Sequence, residues 1–188
     1  IIFTVKEFWE NIEVDGSYEY SVAPVTDNGT LYLDGNVFTS GTTIYSVGHH
    51  TIKLVGANGY ESEITFTVTE RINNLENGKE YTSSVYPSVS SATLYLDGKS
   101  YSSGSYIYDV GYHTLRVEGT NGYVSEYQFT ILPSISGAEA DKEYYPGATY
   151  ITCSYATIKL NGATWSSGSW VYNVGYQQVE IIGTNGYS

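Results

Sequence analysis

Along most of this chain apolar and polar residues alternate with a period of two, the spacing that sends successive side chains to opposite faces of a β-strand. In Thr114-Leu115-Arg116-Val117-Glu118, Leu115 and Val117 fall on one face and Arg116 on the other. Ile52 and Leu54 flank Lys53 in the same way, and Val179 and Ile181 flank Glu180. Leu94 and Leu96 flank Tyr95, and because Lys159 takes that tyrosine's place later in the chain, the middle position is read as facing solvent. Asp97-Gly98 and Asn161-Gly162 sit between such segments. Either dipeptide there predicts a two-residue type I′ hairpin, since both turn positions need positive φ. Asn121-Gly122 predicts a second tight turn ahead of the strand Ser125–Ile131.

The alternation is itself repeated. Thr30-Leu31-Tyr32-Leu33-Asp34-Gly35 returns as Thr93-Leu94-Tyr95-Leu96-Asp97-Gly98 and again as Thr157-Ile158-Lys159-Leu160-Asn161-Gly162. Ser40-Gly41, Val47-Gly48 and Asn58-Gly59-Tyr60 each have two later counterparts in register. Aligning Thr30–Val68 with Thr93–Ile131 gives 22 identities over 39 positions, far beyond chance, so the chain is read as tandem copies of one unit. The predicted units are 6–70, 71–133 and 134–188, the last lacking its closing strand, preceded by residues 1–5 as the closing strand of an earlier copy; the period is about 63 residues, with six or seven short strands in a full unit. The short linkers, such as Thr69-Glu70-Arg71, predict semi-rigid coupling between neighbours in an elongated array.

The run from Ile72 to Ile131 contains Glu76-Asn77-Gly78-Lys79-Glu80-Tyr81, Leu96-Asp97-Gly98-Lys99-Ser100-Tyr101, Ser103-Gly104, Gly111-Tyr112-His113-Thr114-Leu115 and the closing Phe129-Thr130-Ile131. It resembles the bacterial Ig-like (Big-type) repeats of surface proteins, and the resemblance covers essentially the whole chain. It implies an all-β fold of tandem Ig-like β-sandwiches in an extracellular or cell-surface protein, with neighbouring repeats or identical subunits as partners. It implies neither an active site nor a cofactor.

Composition narrows the partners. Lys and Arg number 8 against 20 Asp and Glu, and the formal charge of -12 would repel a phosphate backbone, which argues against nucleic acid. With 21 Tyr and 20 Gly, the mixture favours strands and turns, and almost no helix is expected. No run approaches the ~20 apolar residues of a membrane span.

Candidate chemistry is sparse. His49, His50 and His113 have no carboxylate or cysteine at a metal-ligand spacing, and Gln177 stands where His50 and His113 do, so a strand-start residue bonding a turn is the favoured reading. Neither a Gly-x-Ser-x-Gly elbow nor a calcium loop occurs. Lys79 and Lys142 have no lysine counterpart in the first copy, which argues against a repeat-wide covalent cross-link, and Cys153 reads as a small buried residue. Trp165, Trp170 and Tyr172 form an aromatic surface candidate, suited to a glycan or host protein in an adhesin and equally to packing between repeats.

Ile1-Ile2-Phe3-Thr4-Val5 matches Ile64-Thr65-Phe66-Thr67-Val68, the closing strand of a unit, whereas the third copy reaches Tyr187-Ser188 without one. The simplest expectation is a chain that continues in both directions. The alternatives are strand exchange in trans, with Ile1–Val5 of one copy completing the third unit of the next in a filament, and closure of the third unit by the chain's own Ile1–Val5. The function expected is that of a non-enzymatic spacer or stalk.

Overall fold

A computed structural model of the chain describes residues 1–144 and 148–188, so the span predicted for repeat 3 includes three positions outside the described residues. The backbone forms strands and turns, with one 3-10 turn at Ala57–Gly59. Two compact units divide it: Ile1–Asn73 with Ser88–Tyr95 and Arg116–Ser125, and Asn74–Pro87 with Leu96–Leu115 and Glu126–Ser188.

In the first unit, β1 (Gly16–Glu19), β2 (Thr30–Leu33), β3 (Asn36–Phe38), β4 (Gly48–Val55) and β5 (Glu61–Thr69) make one sheet in the order β1-β5-β4-β2-β3. β1 runs parallel to β5, and the other pairs are antiparallel. Across from this sheet lies a second layer held by single antiparallel bridges, Glu10 to Val25 and Val22 to Ile44. A first segment that pairs in one layer and then crosses to run parallel to the last strand of the other gives an Ig-like sandwich. The six or seven regular strands expected per repeat are five in repeat 1, because the second layer is held by isolated bridges and not by continuous ladders.

The core follows the alternation. Ile52, Leu54, Phe66 and Val68 project from β4 and β5 onto Ile12, Val22 and Ile44 of the opposite layer. Burying each such side chain contributes about 1.5 to 3 kcal/mol. Asp34 and Gly35 have φ of 48° and 82°, the predicted type I′ turn, and its counterparts at Asp97-Gly98 and Asn161-Gly162 match within a few degrees.

A second sheet has the order β6 (Lys79–Tyr81), β10 (Val124–Ile131), β9 (Gly111–Glu118), β7 (Thr93–Leu96) and β8 (Lys99–Tyr101). In repeat 3 the two layers are more evenly developed. β11 (Ile135–Ser136), β12 (Thr149–Cys153) and β15 (Ser169–Val171) form one, and β14 (Ala163–Trp165), β13 (Thr157–Leu160) and β16 (Val179–Ile182) the other, around Ile151, Ile158, Leu160, Val171 and Ile181. Cys153 is buried in that core. Burial pushes its thiol above the usual range.

Ile1–Val5 pair with nothing among the described residues, and Ile1, Ile2, Phe3 and Val5 are all exposed.

Candidate functional site

Each repeat carries a turn of the form Gly-x-Asn-Gly-Tyr, following β4, β9 and β16 in turn. Gly119 N–H donates to Tyr123 O over 3.0 Å and Tyr123 N–H to Thr120 O over 3.2 Å, closing a turn whose two central residues, Asn121 and Gly122, have φ of 53° and 79°. Gly183–Tyr187 repeats the same two bonds at 3.0 and 3.2 Å. Gly56–Tyr60 repeats them at 2.8 and 3.2 Å.

Two of these turns are docked on the start of the long strand of the preceding repeat. In the first unit, Thr120 N–H donates to Val47 O (2.7 Å), His49 N–H to Thr120 O (3.3 Å) and the Asn121 side-chain amide to His49 O (2.6 Å). In the second unit, Thr184 N–H donates to Val110 O (2.6 Å), Tyr112 N–H to Thr184 O (3.3 Å) and the Asn185 amide to Tyr112 O (2.6 Å). An edge-to-face ring pair accompanies each, His49 with Tyr123 and Tyr112 with Tyr187. The backbones approach so closely that only glycine fits. A Cβ on Gly48 would lie 2.2 Å from Thr120 Oγ1, and one on Gly111 would lie 2.4 Å from the backbone N and O of Thr184. The docked turns need glycine as well, since a Cβ on Gly119 or Gly183 would reach a valine carbonyl. The sequence shows these glycines as recurrent Val-Gly and Gly-x-Asn-Gly, but their role depends on contacts between repeats that no local pattern reports.

A carboxylate braces the turn from the preceding linker. Glu70 accepts from Tyr123 Oη (2.5 Å) and from Ser125 Oγ. Burial, with the Glu70 hydrogen bond, pushes the Tyr123 phenol up to about 12. Glu7 makes the same pair of bonds to Ser62 and Tyr60 of repeat 1, and these hold its carboxyl down at about 2.

In repeat 3 the counterpart segment, residues 174–178, is irregular and precedes β16. Val47 and Val110 are 2% and 3% exposed, whereas Val174 is 95% exposed, and no heavy atom of the described residues lies within 4 Å of a Cβ built on Gly175.

The aromatic candidates separate. Trp170 and Tyr172 are exposed and lie in a row with Tyr150, with ring centroids 5.2 and 6.4 Å apart. Repeat 2 carries its own row, Tyr86, Tyr106 and Tyr108, continued by Tyr155 at 4.9 Å. In the Tyr106–Tyr108 and Tyr108–Tyr155 pairs the planes are inclined by only 20°, so ring faces cover one another and edges meet solvent. Trp165 departs from the surface reading. The hairpin pairs it with Ile158, which directs both onto the core, and it is half-buried there. Its indole N–H has no acceptor among the described residues, whereas Tyr101, its counterpart in repeat 2, donates its hydroxyl to Ser105 O.

The histidines belong to the turns. His50 Nδ1 donates to Asp34 Oδ2 at 2.7 Å and its Nε2 to Ser46 O at 2.7 Å, while Asp34 Oδ1 accepts Thr51 N–H. His113 and Asp97 repeat this, with Asp109 O as the second acceptor. In repeat 3, Asn161 and Gln177 rebuild the link without charge. Among the described residues no three His, Cys, Asp or Glu side chains converge, and no helix is long and apolar enough to cross a membrane. Lys79 and Lys142 pair with Glu76 and Glu139 on the surface.

No protein-family model matches the chain, and no curated protein matches it. Among solved structures, it is similar to the N-terminal eight Ig domains of Down syndrome cell adhesion molecule, with TM-score 0.24, 11% identity, and 96% of this chain against 42% of that one. A second is a Bacteroides ovatus mixed-linkage glucan utilization locus protein, SGBP-B, in complex with a mixed-linkage heptasaccharide, with TM-score 0.24, 13% identity and coverages of 93% and 66%. Sidekick-1 immunoglobulin domains 1–5 give TM-score 0.23, 12% identity and coverages of 88% and 50%. The chain spans less than two thirds of each. At these scores the likenesses carry no weight, and the Ig-like assignment rests on the strand order and the parallel β1–β5 pair.

Proposed function

We propose that this chain is a non-enzymatic spacer segment of an extracellular or cell-surface protein, in which the joints between repeats are the functional parts. The observation that carries this reading is the joint itself: the same three hydrogen bonds, ring pair and glycine contacts are built twice, from residues 47–49 with 120–121 and from 110–112 with 184–185. Glycine at both faces of a contact and a side-chain amide aimed at a backbone carbonyl specify a fixed seat, unlike a flexible Gly/Ser linker that leaves neighbours free. Repeats joined in this way hold orientation as well as distance, which is what a spacer supplies.

The test is the width of a distance distribution. With Cys153 replaced by serine, spin labels at Asn36→Cys and Val124→Cys are expected to give one narrow distribution in pulsed electron resonance. Gly48→Val in that background is expected to broaden it. A broad distribution without Gly48→Val would overturn the reading.

A further inference from the structure

We propose that Tyr108 and Tyr155 are a site of oxidative cross-linking, at which hydrogen peroxide and a haem peroxidase join repeat 2 to repeat 3 through one carbon–carbon bond between the two phenol rings. The setting, an extracellular or cell-surface protein that meets peroxide, rests on the reading above; the site rests on the two rings.

Four exposed tyrosines stand in contact in the second unit, Tyr86, Tyr106, Tyr108 and Tyr155. Among the tyrosine pairs of the described residues, Tyr108–Tyr155 alone combines a short separation with near-parallel planes, 4.9 Å and 20°. Tyr86–Tyr106 is as close but inclined by 43°, and Tyr106–Tyr108 is as parallel but 5.7 Å apart. Tyr20–Tyr45 and Tyr112–Tyr187 meet edge to face. Tyr108 and Tyr155 are 43% and 57% exposed, so both phenols are open to an oxidant. Exposed rings change rotamer in roughly nanoseconds or less, which lets the carbons beside the two hydroxyls meet without any movement of the backbone.

The backbone holds Tyr155 in this stack. Its φ is 59°, a left-handed conformation that is costly for a bulky side chain, and its carbonyl accepts Val110 N–H over 3.0 Å. Ser91 takes the same place in repeat 2 with φ of 60°, so the conformation belongs to the repeat and the phenol to repeat 3 alone. The first joint accordingly has Tyr45 at the place of Tyr108 but a serine at the place of Tyr155, and cannot make the bond. At the second joint the bond would tie residues 108 and 155 together as a disulfide would, a restraint that the single Cys153 cannot provide within the chain.

The two phenols and the peroxide balance the step. Each phenol gives one electron to the peroxidase and its hydroxyl proton to water, leaving two phenoxyl radicals. A ring carbon next to each oxygen then forms the new bond, the hydrogen on each of those carbons leaves as a proton, and a proton returns to each oxygen. Two phenols and one hydrogen peroxide thus become one biphenol and two waters.

Treatment of the dilute intact chain with a haem peroxidase and hydrogen peroxide tests this. The expected product has the blue fluorescence of a biphenol, runs as a single chain on a denaturing gel, and on peptide mass mapping shows residues 108 and 155 joined with the loss of two hydrogens. Tyr108→Phe and Tyr155→Phe keep the rings and remove the hydroxyls, and each is expected to abolish the joined peptide. Tyr150→Phe, in the row of repeat 3, is expected to leave it in place. Failure to couple, a joined peptide that persists in either of the first two variants, coupling chiefly at other tyrosines, or products formed only between chains would each overturn the proposal. A chain that does not couple but keeps a narrow spin-label distribution would overturn this inference alone and leave the spacer reading standing.

Discussion

β4 and β16 lie in segments that occupy the same place in the repeat, Val47-Gly48-His49-His50-Thr51-Ile52-Lys53-Leu54 and Val174-Gly175-Tyr176-Gln177-Gln178-Val179-Glu180-Ile181, which share the leading Val-Gly and the alternating aliphatic residues, and they come to different ends. β4 is a strand of eight residues with strictly alternating burial. β16 is a strand of four, and residues 175–178 are not extended into it. They differ in what flanks them: β4 lies between β2 and β5 with a docked turn at its start, while β16 pairs with β13 among the described residues. Fixing a residue's backbone costs about 1 to 2 kcal/mol, and four further residues become strand only where ladder bonds and burial offset that cost. Strand length here is a property of the joint.

The sharpest way to break the comparison is to put the same side chain on both strands. Gly48→Val drives a Cβ into the Thr120 backbone at positive φ and is expected to cost about 3 to 5 kcal/mol, whereas Gly175→Val meets open space and costs about 1 to 2 kcal/mol of backbone strain. Urea unfolding followed by circular dichroism measures both, and equal losses would mean that the joint at Gly48 contributes nothing.

A smaller effect tests the turn links. His50→Gln alone faces an amide oxygen with the Asp34 carboxylate and should cost about 1 to 3 kcal/mol. Adding Asp34→Asn rebuilds the Asn161–Gln177 pair and should recover most of it. A double-mutant cycle with no coupling would show that the two links are not equivalent.

The smallest effect concerns Glu7. Its carboxyl is lowered from the ordinary 4.5 to about 2, first by Ser62 and then by Tyr60. A group whose folded value lies below its unfolded one stabilises the fold above the unfolded value and loses that contribution as pH falls through the folded one. The loss is therefore expected between about pH 4.5 and about pH 2, and solvent screening at this open site keeps it below about 1 kcal/mol. An NMR titration of Glu7 checks the window, and Glu7→Gln should flatten the stability curve there. Glu70, which makes the same bonds while only 6% exposed, should lose more on Glu70→Gln.

The alternation and the Asp-Gly and Asn-Gly turns were legible because they are local: period two dictates the facing of Leu115 and Val117, and positive φ dictates the residues at 97 and 98. Trp165 is half-buried and not on the surface, and a two-residue turn at Asn161-Gly162 already places it opposite Ile158, on the buried face of the hairpin. Counting outward from the turn would have found it. The seats for Gly48 and Gly111 were visible as a recurrence without a cause. What they accommodate is the backbone of residues more than 70 positions away, and a one-dimensional pattern holds no distance between them.

The parallel pairing of β1 with β5 has a mechanical consequence. Gly16 lies opposite Phe66 and Glu19 opposite Thr69, so beyond the Glu10–Val25 bridge the incoming chain runs beside the strand by which it leaves repeat 1. Tension applied through the two flanking segments pulls these strands past each other along their length. The hydrogen bonds between them are then loaded together in shear and must fail as a group, whereas a hairpin pulled from its open end unzips one bond at a time.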